Sequence, residues 1–393
     1  MAAVELEILG NGSVVPPQES RQLKVALVHD YLNQYGGAER VLEELHTLFP
    51  NAPVYTSMYW PERMSPTIRA LDVRTSFMQR LPLVTRNHQP FLLLYPLAFE
   101  SFDLSGYDVV ISNSSAFCKG VVTPPGTLHI CYCLTPMRWV WNYHAYIERE
   151  RLGLAARLVL PAAISTLRSW DVATAQNVDR FLAISRTVAA RIRKYYRRDA
   201  TVIYPPVNCD AFQLPSAGVD DYYLIVSRLI PYKRIDLAVD AFSRLGIRLK
   251  IVGSGGRDLP ALRARAARNV EFIGRVSDAE LKRLYAACRG LVFPGEEDFG
   301  IAPLEANASG RPVVAYAGVG ALDTVIDGQT GILFEQQEVE CLIGAVRRAE
   351  ETVWDSDGLR AHARKFDSQV FRDQLRQFVG ESVAAHAAGA RFA

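Results

Sequence analysis

No stretch of this 393-residue chain is apolar enough to span a bilayer. The apolar, uncharged stretch to test for insertion, Phe91–Phe99, is less than half of the roughly 20 residues that a spanning helix needs. Cysteine is sparse and scattered at 118, 131, 133, 209, 288 and 341. No Cys-x-x-Cys pair occurs and no His stands where it would complete a zinc knuckle, so neither a structural metal nor a disulfide framework is expected. Alternation in His129–Leu134 puts Cys131 and Cys133 on one face of a strand, where they read as small buried hydrophobes in a reducing compartment. Residues 1–23 lack the basic start and apolar core of a signal peptide and read as a mobile extension, which predicts a cytoplasmic protein. Net charge is nearly absent: 44 Lys plus Arg against 42 Asp plus Glu leaves +2. Strong nonspecific binding to polyanions is thereby excluded, and no aromatic or base-reading motif accompanies the basic residues, so no nucleic-acid partner is expected.

What is present is the composition of a globular chain, with 49% hydrophobic and 22% charged residues, and a length that suggests two domains. Lys24 to Val28 is an apolar run followed by Gly36-Gly37 and a helical pattern through Val41, Leu42, Leu45 and Leu48. Further apolar runs at Tyr107–Ser112, Leu128–Leu134 and Arg180–Ile184 have the rhythm of strands buried on both faces of a parallel sheet. The second half repeats that rhythm at Tyr222–Val226, Arg248–Val252, Val270–Ile273, Gly290–Phe293 and Pro312–Ala315, each trailed by a helix-period segment. The fold class predicted is α/β, with two Rossmann-like doubly wound domains facing a cleft. Tyr204-Pro205-Pro206-Val207 continues neither a helix nor a central strand, which sets the boundary near 205. The expected division is an extension 1–23, domains 24–205 and 206–370, and a helix 371–393 that closes over the second domain or crosses back to the first.

The richest stretch is Phe293–Ala306, a strand end, a Gly-containing loop and a helix start. It places Glu297 at the strand's carboxyl end and Glu305 in the first turn of a helix whose N–H groups suit an anion. Taken singly, these are an exposed acidic loop and a favourable helix-start charge. Together they suit a phosphorylated sugar, because carboxylates bind hydroxyls while the helix start binds phosphate. Arg228 and Lys233 flank a Pro turn after the strand Tyr222–Val226, where two positive charges can neutralise a departing diphosphate without a metal.

Other features carry less. Gly36-Gly37 permits close backbone approach, and also suits an ordinary loop. Gly253-Ser254-Gly255-Gly256 follows a strand, but the third glycine of a dinucleotide fingerprint is missing, which disfavours a nicotinamide enzyme. Asp355-Ser356-Asp357 reads as a helix N-cap. The segment Arg149–Trp170 predicts a helix with a basic rim that either packs into the core or lies on an anionic membrane, and six basic residues between Arg186 and Arg198 add a second basic face.

With these residues in view, the chain resembles the retaining glycosyltransferases of family 4, of the two-Rossmann-domain GT-B type, from about Lys24 to the C-terminal helix. The resemblance rests on Glu297-x7-Glu305, within Pro294–Ile301 and followed by Ala308-Ser309-Gly310-Arg311-Pro312-Val313. It implies that Glu297 contacts the donor sugar, Glu305 the ribose, and Arg228 and Lys233 the diphosphate. Phe299, Gly300 and Ile301 would line sugar and phosphates, Arg275 and Val276 the base, and Gly253 and Gly36-Gly37 would complete the donor site. Arg138, Trp139 and His144 are acceptor-side candidates. Cys131–Trp139 and Ser227–Arg234 look most like mannosyltransferases of bacterial surface-polysaccharide assembly, which makes GDP-mannose the expected co-substrate, with no cofactor and no metal. Leu134 departs from that subgroup, which commonly has His before Thr-Pro. A glycan or polyprenyl-linked glycan is the expected acceptor, met at the inner face of the plasma membrane. A UDP-sugar transferase, a phosphorylase or epimerase, and a noncatalytic sugar-nucleotide sensor are the alternatives.

Overall fold

The computed structural model describes residues 23–142, 154–214, 218–255 and 259–390, and of 154–159 the backbone only. Residues 1–22 of the expected extension, and His144, lie outside the described residues. The chain forms two units: Met1–Ile184 with Val188–Ile203 and Arg372–Ala393, and Ser185–Thr187 with Tyr204–Phe371.

The first unit is built on a seven-stranded sheet of β1 (Val25–His29), β2 (Val54–Thr56), β3 (Val73–Thr75), β4 (Val109–Ser114), β5 (Leu128–Cys133), β6 (Arg180–Ala183) and β7 (Ala200–Val202). The order is β3-β2-β1-β4-β5-β6-β7, with every pairing parallel. All residues of β1, β4 and β5 are buried, as sheets covered on both faces require. β1 and β4 are adjacent although not consecutive, so the strand order reverses between them. There the buried Asp30 carboxylate accepts the backbone N–H groups of Ser115, Ala116, Phe117 and Cys118 at 2.6–2.9 Å, pinning the turn after β4. A buried Lys119–Asp171 pair at 2.8 Å ties the next residue of that turn to the helix Leu154–Ala175. Ile164 and Leu167 of this helix lie in the hydrophobic core. Its described side chains thus follow the core-packing alternative, because the apolar stripe faces inward and Pro161, Ser165 and Ser169 face out.

The second unit carries β8 (Tyr222–Val226), β9 (Arg248–Val252), β10 (Val270–Gly274), β11 (Gly290–Phe293), β12 (Val313–Tyr316) and β13 (Gly331–Phe334), in the order β10-β9-β8-β11-β12-β13, again all parallel. Both sheets therefore have the doubly wound topology expected of Rossmann-like domains. One face of the second sheet is covered by the helices Ile235–Leu245 and Val339–Glu351, which bury Leu237, Val239, Phe242, Leu342 and Val346 against Tyr223, Ile225 and Val292. The strand order of this sheet reverses between β8 and β11.

Candidate active site

Ligands of open α/β sheets bind beyond the carboxyl ends of the strands where the order reverses. In the second unit that point is flanked by Ser227–Lys233 after β8 and Pro294–Glu297 after β11, and a small cavity between them is lined by Ser227, Lys233, Gly295 and Glu297. Pro231 opens a single 3-10 turn, Pro231–Lys233, that aims Lys233 across the reversal. The Lys233 ammonium forms an ion pair with Glu297 Oε1. Lys233 is buried, so this pair is shielded from bulk water more than a surface pair would be. Gly295 has no room for a side chain: a Cβ there would stand 2.6 Å from the Lys233 Cα. The close approach of the two loops thus needs this glycine. Arg228 remains at the surface, with its guanidinium donating to the Tyr232 hydroxyl at 3.2 Å.

The loop bearing Glu297 is braced from two sides. Gln337 donates to the Pro294 carbonyl at 2.8 Å and accepts from Arg234 at 3.2 Å. On the other side, the Gly320 N–H donates to the Glu297 carbonyl at 2.8 Å, and a Cβ on Gly320 would meet the Phe299 backbone at 2.3 Å. Phe299 is buried and stacks on Tyr204 with ring centroids 5.6 Å apart. Tyr204 donates to Asp323 at 3.2 Å, and burial, followed by the Asp323 charge, pushes the phenol pKa up.

The helix after this loop begins at Ile301, with Gly300 as its N-cap at φ 88 and no side-chain cap. Its first amides are accordingly available to an anion. Glu305 is the fifth residue of the helix, not part of its first turn, which corrects the expectation from sequence. It is buried, and its Oε2 accepts the Tyr285 hydroxyl at 2.8 Å. Burial of a carboxylate is costly unless hydrogen bonds satisfy it, so this is a constructed position and not a solvated helix-start charge.

The remaining donor candidates are more dispersed. Gly253 (φ 139) packs so closely on Ser227 that a Cβ would fall 1.8 Å from its carbonyl oxygen, which gives the glycine a packing reason of its own. Arg275 is exposed at the end of β10 and donates to the Ser254 hydroxyl at 2.6 Å, with Val276 half-buried beside it. In the first unit, Gly36 and Gly37 sit at the start of the helix Gly37–Leu48, beyond the strand-order reversal. Beneath them the buried side chains of His29, Glu39 and Asn113 form one cluster, with His29 3.4 Å from Glu39 and 3.2 Å from the Asn113 amide. Arg138 and Trp139 open a single helical turn, Arg138–Trp141, in which the Trp141 indole donates to Asp171 at 2.7 Å.

Sequence reading missed Tyr285, Gln337, Gly320 and Asp323. None lies in the motif-bearing stretches, and only the close-approach glycine in Gly318-Val319-Gly320 offered a local signal. Among the described residues no group of three or more His, Cys, Asp or Glu converges as a metal site.

Two parallel, doubly wound units whose second unit carries basic and acidic loops at its strand-order reversal define the GT-B class of architecture. HepE of Anabaena, solved in complex with UDP, superposes with a TM-score of 0.67 at 17% identity, covering 91% of this chain and all of that one. The chain carries a Glycosyltransferase Family 4 domain at residues 35–211 and a Glycosyl transferases group 1 domain at 209–366. Curated relatives include a glycogen synthase of Thermus thermophilus, 33% identical over 167 residues, which are 39% of this chain and 38% of that protein. The D-rhamnosyltransferase WbpZ of Pseudomonas aeruginosa is 27% identical over 234 residues, 55% of this chain and 58% of that protein. The aligned part spans less than half the length of the first curated relatives.

Proposed function

We propose that the protein is a retaining glycosyltransferase that moves a hexosyl group, mannosyl in the first instance, from GDP-mannose to a hydroxyl of a glycan or polyprenyl-linked glycan. The observation that carries this reading is the Lys233–Glu297 pair at the strand-order reversal, beside an uncapped helix start. Lys233 and Glu297 neutralise each other until a donor arrives. A diphosphate has the charge to draw Lys233 away, and the freed carboxylate then accepts hydrogen bonds from sugar hydroxyls. Negative charge building on the leaving diphosphate is met by Lys233, Arg228 and the first amides of the helix Ile301–Ala308. Glu297 orients the sugar and supports positive charge growing at the anomeric carbon, and retention of configuration puts acceptor attack on the face from which the diphosphate departs. Tyr285 fixes Glu305 for the ribose hydroxyls. These residues supply the charge compensation, so the reaction is proposed to run without a divalent cation. Acceptor recognition is assigned to the first unit, with Arg138 and Trp139.

A UDP-sugar is the second reading for the donor, favoured by the complexes of HepE with UDP and with UDP-glucose. Calorimetric titration with GDP, UDP and ADP in EDTA, followed by overnight hydrolysis of GDP-mannose and UDP-glucose, separates the readings. GDP binding with slow mannose release is the expected result. UDP binding alone replaces the donor, and nucleotide binding without any turnover replaces the enzyme by a sensor.

A further inference from the structure

Four large apolar side chains of the first unit stand out of the protein within one segment. Leu83 is 69% exposed, Leu97 57%, Leu93 56% and Phe77 39%. The opposite side of the segment is ordinary core, since Met78, Val84, Tyr95, Ala98 and Phe99 are buried in one hydrophobic cluster. Leu93 and Leu97 are four residues apart across the consecutive helical turns Gln89–Leu94 and Tyr95–Glu100, which places both on one outward face. The turn before them is tied to these helical residues by a hydrogen bond between His88 Nδ1 and the Tyr95 hydroxyl at 2.9 Å. In that turn Leu83 adopts φ 58, so the chain accepts backbone strain to hold a leucine in solvent.

Charge accompanies the leucines. From Val73 to Phe99 the sequence has no Asp or Glu, and it places Arg74, Arg80 and Arg86 there. Arg74 is paired with Asp72 at 2.8 Å. Arg80 and Arg86 are exposed and have no acidic partner among the described residues, Arg86 lying 5.7 Å from the Trp60 ring. By contrast, the second basic face read from the sequence is partly spent, because Arg186 pairs with Asp323, Arg193 with Asp199, and Arg198 is buried. Outward leucines beside guanidinium groups without an acidic partner, on a segment 73–99 that itself carries no carboxylate, match the boundary between acyl chains and anionic headgroups.

We propose that residues 77–97 form a docking surface for a bilayer carrying anionic headgroups. The leucines enter the acyl boundary and the arginines meet lipid phosphates. This deepens the transferase reading by giving a polyprenyl-linked acceptor a place to be met, and rests on that reading for its purpose but not for its test.

The test is co-sedimentation of the whole protein with vesicles of phosphatidylcholine alone and of phosphatidylcholine with phosphatidylglycerol, with nucleotide titration of every preparation. Binding is expected only to the anionic vesicles and weakens as salt is raised above about 0.1 M. Arg80→Ala/Arg86→Ala is expected to lower the partition about 30-fold, from about 1 kcal/mol per arginine near the surface. Leu93→Glu/Leu97→Glu is expected to lower it at least as much, and both variants keep nucleotide binding because neither touches the second unit. Wild-type protein left in the supernatant, equal binding to neutral vesicles, or unchanged binding by the leucine variant overturns the proposal. So does a concentration-dependent dimer that the leucine variant abolishes while vesicles go unbound, which would assign the face to a second copy. Vesicle binding without nucleotide binding would instead sink the transferase reading and leave the docking surface standing.

Discussion

Tyr285 donates its hydroxyl to Glu305 across 2.8 Å inside the second unit, joining the helix Asp278–Ala287 to the helix Ile301–Ala308. The bond fixes the carboxylate assigned to the ribose. Tyr285→Phe removes one hydrogen bond to a charged group and little volume. Nucleotide affinity is expected to fall about tenfold, from about 1.5–3 kcal/mol for such a bond less what water recovers. Titration with the preferred nucleoside diphosphate measures it, and an unchanged dissociation constant removes Glu305 from the nucleotide site.

Glu297→Gln and Lys233→Met should separate the two halves of the proposed donor site. The glutamine variant is expected to lose about 100-fold or more in donor turnover. It should bind nucleoside diphosphate at least as well as wild type, because Lys233 no longer has to leave a carboxylate. Lys233→Met should instead weaken diphosphate binding about tenfold or more. Equal losses of nucleotide binding in both variants would contradict the exchange of partners.

Val319 holds φ 48, in the left-handed region that a β-branched residue rarely enters, directly before the Gly320 N–H that bonds Glu297. Val319→Gly relieves strain of about 1–2 kcal/mol per residue and gives back up to about 1 kcal/mol of chain entropy. A net gain of about 1 kcal/mol in stability is expected, read as an upward shift of the denaturation midpoint. A fall in stability would mean that the valine side chain contributes more packing than its backbone costs.

Burial, and then the Lys119 charge, lowers the pKa of His129 to about 4. The neutral ring bonds Ser112 at 2.9 Å. The unfolded chain, with a His pKa near 6.5, takes up a proton that the native protein refuses between these two values. Stability is therefore full above about pH 6.5 and declines as pH falls toward about 4, by about 2 kcal/mol between pH 7 and pH 5. His129→Gln should flatten that part of the urea-midpoint profile, and an unchanged slope would assign the loss to other groups.

Lys119 and Asp171 are both fully buried, and Asp171 also accepts from Trp141 at 2.7 Å and Tyr196 at 2.9 Å. Lys119→Met leaves a buried carboxylate without its counter-charge, for which about 3–5 kcal/mol of destabilisation is expected. Thermal melts of Lys119→Met and of Lys119→Met/Asp171→Leu check the cause, since the double variant should recover part of the loss.

Much of the second sheet was legible: Tyr222–Val226 and Gly290–Phe293 are continuous apolar runs, Arg248–Val252 alternates basic and apolar residues before Ile251-Val252, and all three have the bounds that the sequence predicts. The three-residue strands β2, β3 and β7 were not legible, being too short to show any periodicity. Asp355 was, since an Asp before a helical pattern has one local use, and its carboxylate caps the Asp357 N–H at 3.1 Å.

By itself the sequence determined the α/β class, the rhythm of both sheets and the residue types of the Glu297–Glu305 motif, because buried parallel strands and helix starts write their physics into neighbouring residues. Only the tertiary structure decided that Lys233 rests on Glu297, that Tyr285 satisfies Glu305 and that Gly320 holds the loop between them. It also decided that Ile164 and Leu167 turn inward while Leu83, Leu93 and Leu97 face water. Those relations join residues far apart in the chain. Whether a leucine is core or surface depends on what the fold lays over it, which no local pattern records.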